Sequence, residues 1–169
     1  MKNLLFLLTL GFAFPAYAQD DAIARHFNQY LNDDAFTAVY VSPKMFEAMA
    51  SRQSAEMDED LRKMIRSMRA MRVVQKNGAD GSALYKSAGE KLLAQRYEEL
   101  MTLREKGEQI RFFTQGGSGQ KVKEVVMVVS GAKRFLLLSM VGDIDLNTIA
   151  KLAKSLNVQG ADLLEKVKK

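Results

Sequence analysis

The chain has 169 residues, with 25 Lys and Arg against 20 Asp and Glu, one histidine and no cysteine, giving a formal net charge of +5. That balance is mildly basic and lacks the concentrated charge of a nucleic-acid binder, so no nucleic acid partner is expected. A single imidazole and no thiol cannot assemble a His/Cys zinc site, and no disulfide frame supports the chain.

Lys2, the apolar run Leu4–Phe14 and the small-x-small pattern Ala16-Tyr17-Ala18 read as an export signal over residues 1–18, with Gln19 as the first mature residue. Leu4–Ala18 is shorter than the roughly 20 residues that a spanning helix needs. No twin arginine is present, and no cysteine is available to carry a lipid. The expectation is a periplasmic or secreted protein whose residues 19–169 form a single domain with no transmembrane helix.

Asp20–Leu31 carries Ile23, Phe27, Tyr30 and Leu31 at helical spacing and includes His26, read as a surface or partly packed residue. Phe36–Val41 is β-branched and aromatic, hence a strand. Ser42-Pro43 opens the next helix, because serine caps and proline fits the first helical position. Its apolar side is Met45, Phe46 and Met49. From Ser54 a longer helix places Met57, Leu61, Met64, Ile65, Met68 and Met71 on one arc. The methionines suit Cu(I) in principle, but methionine is a common core filler and all of them are read as core. The acidic first turn and basic later turns of that helix complement its dipole. Met71–Lys76 reads as a second strand, and Asn77–Ser82 as a turn-rich connection.

A long helix is predicted over about Ala83–Arg104, with Tyr85, Leu92, Leu93, Leu100 and Leu103 on its buried side and Arg96 in the middle of that stripe. Gln109–Gln115 is a third strand. The glycine-rich Gly116–Gly119 then joins strand to strand, whereas a phosphate cradle needs a following helix N-terminus. Lys121–Ser130 and Lys133–Val141 are apolar on both faces and therefore expect a central place in a sheet. Gly131-Ala132 between them fits a type II′ hairpin. Asp145 is positioned to cap a helix whose apolar side is Leu146, Ile149, Ala150, Leu152, Ala153 and Leu156. Asp143-x-Asp145-x-Asn147 opens like a calcium loop but has Thr148 and Lys154 where glycine and glutamate are required. Gly160–Lys169 reads as a last helical turn or two.

The expected architecture is α+β, a mostly antiparallel sheet of about five strands packed with helices. Arg96 cannot lose its charge, so on an apolar stripe it must snorkel, meet an acid or mark an anionic ligand. Glu124 alternates with Val122, Val126 and Val128 and is its candidate partner. No spacing announces a catalytic, cofactor-binding or metal residue.

Tyr97-Glu98-Glu99-Leu100-Met101, the apolar hairpin, Gly142-Asp143-Ile144-Asp145-Leu146, Leu156-Asn157-Val158-Gln159-Gly160 and Ser42-Pro43-Lys44-Met45-Phe46 together resemble the domain of unknown function family 4252. The resemblance covers most of the mature chain and implies an exported bacterial protein. Members often carry a lipoprotein-type signal, whose cysteine this chain lacks. It implies no activity and no functional residues. The expected function is a non-enzymatic envelope protein that binds a protein partner or an anionic ligand, with an envelope hydrolase as the alternative.

Overall fold

The computed structural model describes residues 21–51, 58–105 and 107–147. They build one antiparallel sheet from β1 (Thr37–Val41), β2 (Met68–Asn77), β3 (Glu98–Glu105), β4 (Glu108–Gln115), β5 (Lys121–Gly131) and β6 (Arg134–Asp145). The spatial order is β1-β2-β6-β5-β4-β3, so the two most apolar strands, β5 and β6, take the centre as their two-sided pattern requires. Helices α1 (Ala22–His26), α2 (Pro43–Ser51), α3 (Glu59–Ser67) and α4 (Ser82–Ala94) complete an α+β fold. The expected sheet of about five strands has six.

The helices divide between the two faces. Ile23 of α1 and the following Phe27, with Tyr85, Ala88 and Leu92 of α4, bury Val74, Phe113, Val126, Val128, Phe135 and Leu137 on one face. On the other, Phe46 and Ala50 of α2 and Ile65 of α3 cover Met68, Val122, Val125 and Ile144. We call these the α1/α4 face and the α2/α3 face.

Four expectations are corrected. Helix α4 stops at Ala94, and Glu98–Glu105 is a strand, not the second half of a helix. The stop is a Schellman closure: the Tyr97 amide reaches the Leu92 carbonyl at 3.1 Å and the Arg96 amide the Leu93 carbonyl at 3.0 Å. Arg96 takes the left-handed position (φ 64°) where glycine is usual, so the sequence carries no stop signal. Leu93 is therefore exposed, and Leu100 and Leu103 lie on β3. Helix α3 likewise ends at Ser67, placing Met68 and Met71 on β2. There Met68 and Met71 both pack in the α2/α3 core, on either side of a register break at Arg69, where a continuous helical arc was expected. Within the described residues α3 is capped by the Asp58 carboxylate on the Leu61 amide (2.7 Å), while Ser54 and Met57 lie outside them.

The third correction is the β5–β6 turn. Gly131 pairs with Arg134, so the two central residues are Ala132-Lys133, neither with positive φ, and the type II′ form does not occur. Met45 and Met49 also prove exposed, at 54% and 39%, where core positions were expected. Asp145 does accept the Asn147 amide (2.9 Å) as a helix start. The stretch expected to be an export signal, the expected continuation of a helix beyond Asn147 and the tail lie outside the described residues.

Candidate functional site

Glu124 is buried, 4% exposed, near the end of β5, but its partner is not Arg96. One carboxylate oxygen accepts the Ala22 amide and the Ser139 hydroxyl, both at 2.5 Å. The other accepts the Tyr97 hydroxyl (2.8 Å) and the Arg25 guanidinium (2.5 Å). Arg25 also donates to the Tyr97 hydroxyl. A buried carboxylate is tolerated only when such bonds replace its water. The Tyr97 hydroxyl is held well above the ordinary tyrosine range, first by burial and then by the charge of Glu124. His26 meets the Tyr97 ring edge-on, at 6.1 Å between centroids.

Beside this cluster the fully buried Asp21 accepts Arg72 Nε at 2.8 Å and the amides of Ile23 and Ala24 at 2.9 and 3.0 Å. Arg72 in turn covers the Tyr40 ring at 4.7 Å. Two buried acids thus clamp α1 to the sheet. Among the described residues every buried side-chain polar atom has a partner, which leaves Glu124 and Tyr97 no free valence for a substrate.

Val122, expected on the same face as Glu124, departs from that register. At the register break between Val122 and Glu124, Gly142 and Asp143 of β6 stand opposite Lys123 alone, and Val122 turns onto the α2/α3 face while Glu124 stays with Val126 and Val128. Register also breaks at Arg69 of β2 and Leu100 of β3, at the same end of the sheet. Bulges gather where side chains are re-aimed, and this end carries an open cleft.

The cleft holds about 530 Å³ and is lined by Arg96, Glu98, Leu100, Thr114, Gln115, the 116–119 turn, Lys121, Val122 and Leu146. Arg96 reaches it because the left-handed turn after α4 throws its side chain off the helix, so the residue is exposed and the Arg96–Glu124 pair does not form. Gly116, Gly117 and Gly119 all have positive φ (72°, 88° and 60°), a conformation natural to glycine. Ser118 and Lys121 close the turn by exchanging amide-to-carbonyl bonds of 3.0 and 3.3 Å, so the glycine amides are not consumed by that closure. At Gly117 a Cβ would fall 2.0 Å from the Lys121 carbonyl oxygen. The cleft brings together two cations, one carboxylate and uncommitted backbone amides, over a floor of Leu100, Val122 and Leu146.

Sequence reasoning singled out Glu124 and Arg96 as out of place but missed Arg25, Tyr97 and Ser139. Ser139 was the available signal: it is the one hydroxyl inside the apolar Phe135–Val141 run, and it is fully buried.

No match was found among curated proteins or among solved structures. Residues 30–152 match a family described as a domain of unknown function (DUF4252). That span includes the whole six-stranded sheet, both cation-bearing turns of the cleft and Glu124, and the chain belongs to this family.

Proposed function

We propose that the protein is an exported envelope protein that acts by binding, with the cleft at the bulged end of the sheet receiving a small anionic group. The observation that carries this reading is the pairing of Arg96 and Lys121 with the glycine turn across one open, half-polar cleft. Guanidinium, ammonium and backbone amides are the donors that phosphate and carboxylate groups take. Binding is favoured over hydrolysis because Glu98 is the only carboxylate among the lining residues and no histidine joins it. The buried Glu124–Tyr97–Arg25 cluster is saturated by its own bonds. Export rests on the Lys2, Leu4–Phe14 and Ala16-Tyr17-Ala18 pattern.

Titration with inorganic phosphate and with citrate, followed by amide NMR, tests the cleft. Shifts confined to Gly116–Lys121 and Arg96 are expected, with affinity falling at least about tenfold in Arg96→Ala/Lys121→Ala, since charge-assisted bonds are each worth roughly 1.5–3 kcal/mol. Neither anion moving those amides would overturn the reading. N-terminal sequencing of the exported protein is expected to begin at Gln19, and a mature chain that keeps Phe14 would overturn the export assignment.

A further inference from the structure

The two edges of the sheet are built differently. The outer strand β3 carries Glu98, Glu99 and Arg104 and is interrupted by the bulge at Leu100, the devices by which proteins discourage edge pairing. The opposite outer strand β1, Thr37-Ala38-Val39-Tyr40-Val41, has no charge, no bulge and no internal proline. Thr37, Ala38, Val39 and Tyr40 are all exposed, Val39 at 50%. Among the described residues nothing pairs with its outer side. Helix α2 follows directly and adds the exposed Met45 and Met49.

We infer that β1 is a self-association edge, pairing antiparallel with β1 of a second copy about a two-fold axis at Val39. What favours a second copy is that the edge complements itself. In that register Val39 meets its own symmetry mate, Ala38 meets Tyr40, and Thr37 meets Val41, giving β-branched and aromatic cross-strand neighbours. Beyond the strand, the acidic end at Asp33 and Asp34 of one copy faces the basic end at Lys44 of the other. Asp33 and Asp34 lie in the turn before β1 and Lys44 on the first turn of α2 just after it, and all three charged residues are exposed. A two-fold operation brings both complementary contacts together at once. The joined sheet would run continuously through twelve strands. One five-residue strand with two methionines gives a contact at the small end of specific interfaces, so the dimer is concentration-dependent, not obligate.

Sedimentation of the purified mature chain over a wide concentration range is expected to show monomer and dimer in exchange. Val39→Lys places two ammonium groups together on the axis and is expected to weaken the dimer at least tenfold. Because Val39 is half exposed, the variant keeps its thermal midpoint, which is checked in parallel. Asp34→Lys and Lys44→Asp are each expected to weaken association several-fold at low salt, and the double reversal to restore it. A monomer at every concentration would overturn the inference. So would a dimer unmoved by Val39→Lys, or a double reversal no better than the singles, which would indicate an unrelated strand or surface as the partner.

Discussion

The two faces of this sheet are finished to different standards. On the α1/α4 face the central positions are dry, with Val74, Leu137, Val126 and Val128 fully buried and the polar residues there tied into the Glu124 and Asp21 clamps. On the α2/α3 face, Val39, Val73, Leu138, Met127, Phe112 and Met101 form one apolar row across all six strands, and none of them is fully buried. The open cleft is on that side too, with Val122 and Leu146 belonging to its core cluster. The difference teaches where to look for each property. Stability is concentrated on the closed face, and surface available for binding is concentrated on the open face and at the β1 edge.

The largest expected effect breaks the closed face. Glu124→Ala leaves the Ala22 amide, the Ser139 and Tyr97 hydroxyls and the Arg25 guanidinium without their acceptor. Removing one partner from a buried, hydrogen-bonded charge costs about 3–5 kcal/mol, read as a lowered midpoint in chemical denaturation. The phosphate titration at the cleft is expected to survive in whatever fraction folds. An unchanged midpoint would mean that α1 is not held by this clamp.

A finer comparison uses neighbours on one strand. Leu137 and Leu138 are adjacent on β6 and point to opposite faces, the first fully buried and the second half-buried. Leu137→Ala is expected to cost about 2–5 kcal/mol, the usual range for a buried leucine, and Leu138→Ala about 1 kcal/mol because less area is removed. Equal costs would show that the α2/α3 face is as thoroughly covered in solution as the other.

The legibility of the sequence follows the same division. Elements whose ends are marked by side-chain chemistry are readable: Ser42-Pro43 before α2, and the apolar runs of β5 and β6. The elements that failed were those whose ends are set by backbone and tertiary packing. Arg96 stops α4 from a conformation that a glycine would have announced. Met68-Arg69-Ala70-Met71-Arg72 is apolar at both helical and strand spacing, so only its pairing with β6 decides. The cleft was half visible. Its glycine turn was found, but Arg96 was placed in an apolar stripe, and the strand that brings Glu98 and Leu100 to the same space was read as helix. The Glu124 clamp was visible as an oddity, while its partners are scattered along the chain, from Ala22 and Arg25 of the first helix, the latter 99 positions away, to Tyr97 and Ser139.

The smallest expected effect concerns pH and again tests the closed face, through His26. Its imidazole is held below the ordinary value of 6.5, first by burial against Tyr97 and then by the nearby Arg25 and Lys91 cations, which outweigh the opposing pull of Glu124. Above pH 6.5 the ring is neutral in both folded and unfolded chains, so its contribution to stability is fully present there. As the pH falls through that value the unfolded chain takes up the proton first, and the contribution is progressively lost. His26→Gln, which cannot titrate, is therefore expected to lose less stability than the parent between pH 7.5 and pH 5.5, a window above the usual carboxylate range. Denaturation midpoints of the two proteins at both values measure the difference. Parallel losses would mean that His26 stands free of Tyr97 in solution. A steeper loss in the variant would mean that Glu124 dominates the imidazole, and that Arg25 is drawn to it less closely than the geometry indicates.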